Sequence, residues 1–197
     1  MVAFYLAGSI QKGHEQNESE WTNAHMEHLK TGLSPHEVYF LNPAERKDDL
    51  SDALSVFGRD MTQVFLSDIV LVDARHRRGL GVGTEMLWAK LHHKPLLTWA
   101  PTDTHYHKKN SSLLGQPIAD YTHPFVYSLS DLVFETLDDA IEWVKAYVND
   151  EISQVKDLSS VQEAMYHYRQ AQYSKDTPMQ DLIQSCQELT ARFANCI

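Results

Sequence analysis

The chain has 197 residues, 17 Lys plus Arg against 27 Asp plus Glu, and a formal net charge of −10. That length bounds it to one core domain with an appendage, long enough to bury a core without staples. The acidic balance excludes a binder of nucleic-acid polymers, because duplex affinity comes mostly from Lys and Arg; a single nucleotide in a local pocket stays open.

Further classes drop out on local grounds. No segment approaches the run of about 20 apolar residues that crosses a bilayer, so no membrane partner is expected. Met1–Gly8 has no basic n-region and is too short for a signal peptide. The two cysteines, Cys186 and Cys196, are no disulfide framework and fit a reducing cytoplasm. His105 and His107 are spaced to chelate, but no HExxH or Cys/His ligand set accompanies them, so no metal is expected.

In chain order, Val2–Ala7 is a short apolar run ending at Gly8 and predicts a buried strand. Glu15–Leu33 carries Trp21, Ala24, His25, Leu29 and Leu33 at helical spacing, with Gly32 and Pro35 at its end. Glu37–Leu41 predicts a second strand, closed by Asn42-Pro43, and Ser51–Leu66 a helix. Asp68–Asp73 is the clearest strand, its Ile-Val-Leu-Val run implying burial on both faces as in a parallel sheet. A turn over Arg75–Gly83 leads to a helix from Thr84 to His92, and Pro95–Trp99 is a fourth strand. Residues 101–117 predict a long polar loop. Either His123–Tyr127 or Leu132–Phe134 supplies the fifth strand, before a helix over Leu137–Val148.

This alternation gives an α/β fold, a flavodoxin- or Rossmann-like sandwich with a five-stranded parallel sheet, over residues 1–150. Residues 151–197 break the alternation and predict a helical extension of two helices. The first carries Val155, Leu158, Val161, Met165 and Tyr168. The second starts at Pro178 and carries Leu182, Cys186, Leu189 and Phe193.

Ligands of open parallel sheets bind outside the carboxyl ends of the strands. Gly8-Ser9-Ile10-Gln11-Lys12-Gly13, Asp73–Gly83 and the loop 101–117 all fall there. The most informative stretch is Gly79-Leu80-Gly81-Val82-Gly83-Thr84-Glu85, which runs from strand into helix. Its spacing is wrong for a dinucleotide fingerprint, and it lacks the Lys of a phosphate loop. The glycines instead permit close backbone approach and present Glu85 from the first helical turn. A second carboxylate, Asp60, lies inside an amphipathic helix eight residues before Asp68. Its plainer role is a solvated residue or a partner for Arg59. Arg75, Arg77 and Arg78 read as a solvated loop, with phosphate charge as the alternative.

Tyr5, Arg59-Asp60, Ser67–Val72 and Leu80–Glu85 together resemble the nucleoside 2-deoxyribosyltransferase family, including the related 2′-deoxynucleoside 5′-phosphate N-hydrolases, over residues 2–145. The resemblance implies that Glu85 is a nucleophile forming a glycosyl ester, that Asp60 handles the base and its proton, and that Tyr5 orients Glu85. It implies substrate contacts from Gly8, Ser9, Ile10, Asp73, Gly79, Gly81 and Gly83. It also implies that Asn110, about 25 residues after Glu85 and followed by Ser111, holds the sugar from a neighbouring subunit, making a homo-oligomer with a shared site.

Two features point apart. Transferases of the family carry an aspartate where this chain has Gly79, while Gly8-Ser9-Ile10 matches the hydrolases. The expected activity is cleavage of the N-glycosidic bond of a nucleoside or nucleotide, foremost 2-deoxyribosyl transfer between bases, with no cofactor. Hydrolysis of nucleoside 5′-monophosphates is the enzymatic rival, and a non-catalytic nucleotide-sensing module is the other.

Overall fold

The computed structural model describes residues 1–8 and 21–195. Ser9 and Ile10, and the start of the helix expected from Glu15, lie outside the described residues. The chain divides into two compact units, Met1–Asp157 and Leu158–Ile197.

The first unit runs β1 (Val2–Ala7), α1 (Asn23–Gly32), β2 (Val38–Leu41), α2 (Ala53–Leu66), β3 (Ile69–Asp73), α3 (Leu80–Leu91) and β4 (Leu96–Trp99). It continues through β5 (His107–Leu113), β6 (Gln116–Thr122), α4 (Pro124–Leu129), β7 (Leu132–Phe134) and α5 (Leu137–Val148). The main sheet has the order β2-β1-β3-β4-β7 and is parallel throughout. This is the flavodoxin-like order, whose direction of winding reverses between β1 and β3 and leaves a crevice at their carboxyl ends. Leu132–Phe134 therefore supplies the fifth strand. The other candidate, residues 123–127, falls mostly in α4, which Pro124 opens from its first turn.

β1 and β3 are buried along their whole lengths, as their unbroken apolar runs demand. One face of the sheet packs Phe4, Leu6, Ile69, Leu71 and Leu97 against Leu29, Ile141 and Val144 of α1 and α5. The other packs Tyr5, Val70, Val72 and Leu96 against Val64 of α2 and Val82, Met86 and Ala89 of α3. α1 begins only at Asn23, because Thr22 caps it through His25. Just before β7, Asp131 takes hydrogen bonds from the backbone of Leu96 and of Lys156 beyond α5, each at 2.7 Å, and pairs with the fully buried Lys90.

Two expectations are corrected. The polar stretch 101–117 is not one loop: residues 107–122 form the antiparallel hairpin β5–β6, with Ser111 opposite Ile118. The second C-terminal helix is two. The second unit holds α6 (Ser159–Ala171), a short 3-10 turn (Tyr173–Lys175), α7 (Thr177–Gln184) and α8 (Gln187–Ala194). The break falls at Cys186, which takes an extended conformation.

Candidate active site

The switch between β1 and β3 brings Tyr5, Asp60 and Glu85 together. Tyr5 pairs with Val70 and Leu41 across the sheet, and its side chain enters the face covered by α2 and α3. On α3, Val82, Met86 and Ala89 form the inward stripe, and Glu85 falls within it at helical spacing. A carboxylate is thereby carried into an apolar seam, with 8% of the residue exposed.

Glu85 Oε2 and Tyr5 Oη are both buried without a hydrogen-bond partner among the described residues. The two groups are close enough to sense each other's charge, yet outside hydrogen-bond geometry. Burial pushes the Glu85 carboxyl up to about 7; Asp60 adds to the rise, and the Tyr5 hydroxyl opposes it. Burial, with Glu85 beside it, holds the Tyr5 phenol far above its ordinary range. An unpaired buried carboxylate is costly, and such groups concentrate where chemistry uses them.

Asp60 is held differently. Arg46 Nη1 reaches its two oxygens at 3.3 and 3.5 Å, and Arg59 Nη1 stands 3.6 Å from one of them. Arg46 also forks onto Asp48, through Nε at 2.8 Å and Nη2 at 2.5 Å. Burial raises the Asp60 carboxyl above its usual range, against the pull of Arg46 and Arg59. Trp88 Nε1 donates to Met61 O at 3.1 Å and fastens α3 to α2 beside the pair.

The glycine stretch corrects the expected turn. α3 starts at Leu80 rather than Thr84, with Gly79 as its N-cap. Glu85 therefore sits beyond the first turn, set inward by helix periodicity rather than displayed at the helix end. Gly79 brings no side chain to cap the helix, so its first N–H groups receive no side-chain bond from that position. A Cβ on Gly79 or Gly83 would meet nothing within 4 Å, and one on Gly81 would meet only Glu85 Oε1 at 4.0 Å. Among the described residues, none covers these glycines.

Asp73 closes β3, fully buried, with Arg75 Nη2 at 3.0 Å and Arg78 Nη2 at 2.8 Å. Arg75 also lies 3.9 Å over the Trp99 ring. Of the three arginines read as a solvated loop, only Arg77 is exposed; Arg75 and Arg78 are drawn in by Asp73. Gly8 packs tightly: a Cβ there would stand 3.4 Å from Trp21 Nε1 and 3.7 Å from Asp73 Cβ. Asn110 and Ser111 lie on β5, opposite Ala119 and Ile118. The side chain of neither makes a hydrogen bond to Tyr5, Asp60 or Glu85 in this chain. His107 hydrogen-bonds Ala100 O at 3.0 Å and anchors the hairpin. Among the described residues, no group of three or more His, Cys, Asp or Glu is placed to hold a metal ion. Likewise, no helix among them is long and apolar enough to cross a membrane.

Arg46 escaped the sequence reading. It belongs to a charged loop, Arg46–Asp49, with no period to mark it, and its reach to Asp60 exists only once that loop lies against α2.

No family model matches the sequence, and no curated protein matches it. Among solved structures, the fold is that of 2-deoxyribosyltransferases. The enzyme from Bacillus psychrosaccharolyticus shares 14% identity over 79% of this chain and 98% of its own, with a TM-score of 0.52. The enzyme from Leishmania mexicana shares 20% identity over 73% of this chain and 96% of its own, with a TM-score of 0.50. A CMP N-glycosidase from Clostridium botulinum is more distant, at 12% identity over 74% of this chain and 99% of its own, with a TM-score of 0.40.

Proposed function

We propose that the chain is a member of the nucleoside 2-deoxyribosyltransferase family and cleaves the N-glycosidic bond of deoxynucleosides through an ester of Glu85. In this account a Glu85 oxygen bonds to C1′ as the C1′–N bond breaks. The bonding pair leaves with the base nitrogen, and the Asp60 carboxyl supplies the proton. A second base then attacks C1′, returns its proton to Asp60 and frees Glu85, completing 2-deoxyribosyl transfer. The transition state is oxocarbenium-like, and an adjacent carboxylate stabilises its positive charge before bonding to it. Tyr5 orients Glu85, its hydroxyl donating to the carboxylate as the bound substrate tightens the site.

The observation that carries this reading is Glu85 itself: buried, with one oxygen unpartnered among the described residues, beside the glycines that open α3 and coupled to Tyr5 and Asp60. Hydrolysis, with water in place of the second base, is the second reading, favoured by Gly79 standing bare where family transferases have an aspartate. A neighbouring copy completes the sugar site through Asn110 in a homo-oligomer, a part of the account that a fully active monomer in sedimentation contradicts. Its setting is the reducing cytoplasm that the two cysteines fit.

Incubation with deoxyinosine and adenine tests the activity. Deoxyadenosine is the expected product. Hypoxanthine released with no new nucleoside makes water the acceptor, and no release of base overturns the reading.

A further inference from the structure

α3 separates two spaces of opposite character. On its α2 flank lie Tyr5, Asp60 and Glu85. On its α4 flank a cavity of about 180 Å3 is walled by Val72, Met86, Val126 and Leu129, with Tyr106 and Phe125 beside them. The two spaces share the glycine turn. Gly79 and Gly83 line the cavity, and Gly81 stands next to Glu85.

Chemistry fixes how a nucleoside would lie across that turn. C1′ must stand at Glu85. The departing base must face Asp60, which α2 carries. The rest of the sugar therefore extends away from α2, over glycines that no described residue covers, and its 5′ carbon is directed past Gly79 toward the cavity. What the cavity accepts then decides what the 5′ position carries.

Its lining is poor in free charge. Among the described residues that line it, Arg78 is the one permanent cation, and the buried carboxylate of Asp73 already balances it at 2.8 Å. Arg78 also donates from Nε to Asp73 O. His123 lines the cavity too, and burial, with His105 near it, lowers its pKa and favours the neutral ring. A phosphate here would lose its water against Val, Met and Leu walls and meet only the side-chain-uncapped N–H groups after Gly79 and the His123 ring, with no fresh counter-charge among the described residues. A short apolar group sheds no hydration shell on entry, although it leaves the buried Nδ1 of His123 unpaired, and the Met86 thioether and the aromatic rings suit a polarisable one.

Resting on the glycosidic cleavage proposed above, we infer that the preferred substrate is a nucleoside bearing a short uncharged apolar 5′-substituent, of the 5′-deoxy-5′-alkylthio kind, seated between α3 and α4. The 5′ group does not react. The C1′–N bond is broken and remade as before, and the cavity supplies binding remote from the reacting centre that positions C1′ against Glu85.

The test compares 2′-deoxyadenosine and 2′-deoxycytidine series that differ only at the 5′ position: hydroxyl, phosphate and propylthio. The full chain is used, and base release is followed. The propylthio compound is expected to show a kcat/KM at least tenfold above that of the phosphate. Leu129→Trp, which fills the cavity, should lower the ratio of propylthio to hydroxyl kcat/KM at least tenfold. Phe125→Ala, at a residue 73% exposed and so unable to unsettle the core, should lower the same ratio by a smaller factor. A preference for the phosphate, or ratios that neither variant moves, overturns the inference while glycosidic cleavage stands. Release of base from none of the three compounds overturns the parent reading and the inference with it.

Discussion

The two flanks of α3 solve opposite problems with one helix. On the α2 side, a carboxylate is buried beside a phenol, and neither the carboxylate's Oε2 nor the phenol has a partner among the described residues. On the α4 side, a cavity is lined mostly with hydrocarbon, and Arg78, the one arginine among the described residues that line it, is already paired with Asp73. The first flank holds a buried carboxylate and a phenol; the second is mostly apolar wall, with Arg78 paired to Asp73 and the buried Nδ1 of His123 left without a partner among the described residues. The glycines at the start of α3 serve both, because Gly79, Gly81 and Gly83 put no side chain between them.

The sharpest way to break this comparison is to neutralise the reactive flank. Glu85→Gln keeps shape and removes the nucleophile, so turnover should fall by at least about 10³-fold, a scale seen when a covalent nucleophile is lost. Steady-state base release checks it. Retention of most activity would make Glu85 a structural residue.

Next in size is the proton donor. Asp60→Asn should cost about 10²–10⁴-fold, the range of general acid–base assistance, with less loss for bases that leave readily. Arg46→Gln should cost less and act through Asp60. It removes a cation that holds the Asp60 carboxyl down, so the pH limb assigned to Asp60 should move upward while substrate binding changes little. Equal losses for all leaving groups would show that Asp60 does not protonate the base.

Tyr5→Phe should produce a smaller effect, read as a pH shift. The nucleophile must be ionised, so wild-type kcat/KM should rise with pH through about 7, where burial places the Glu85 carboxyl. The Tyr5 hydroxyl favours the ionised form, so its removal should move that rise to higher pH. A pH profile that stays in place would remove Tyr5 from the account.

The smallest expected effect concerns stability. A carboxyl whose folded pKa stands above its unfolded value binds more protons when folded. Between the ordinary 4.5 and about 7, stability therefore falls as pH rises. Glu85→Gln removes that loss and should be the more stable protein at pH 8, by about 1–3 kcal/mol. Its advantage should shrink toward pH 4.5. Thermal unfolding of both proteins at the two pH values checks the sign.

How much of this was legible in the sequence depended on which physical signal each part carries. β1 and β3 were plain because burial on both faces forces unbroken apolar runs. The helix start at Leu80 was hidden, because Gly79-Leu80-Gly81-Val82-Gly83 has the composition of a turn. Each interior glycine costs a helix about 1 kcal/mol, a cost the packing of Val82 and Met86 overrides. The β5–β6 hairpin was hidden for a different reason. Its strands are polar on both faces, and its turn places Leu114 and Gly115 at φ 50° and 79°. A leucine in that conformation gives no Asn-Gly or Asp-Gly signal. In the site, Glu85 and Asp60 were visible as carboxylates breaking apolar patterns. Arg46 and the cavity beside α4 were not, because they arise from contacts between segments distant in sequence.

The central claim is the covalent ester on Glu85, and it can be weighed directly. The protein is mixed with excess deoxyinosine, quenched in acid within the first turnover, and digested for peptide mass analysis. The account predicts a deoxyribosyl adduct on the peptide containing Glu85, formed together with a stoichiometric burst of hypoxanthine and absent from Glu85→Gln. A burst of hypoxanthine with no adduct, or an adduct on another residue, would contradict it.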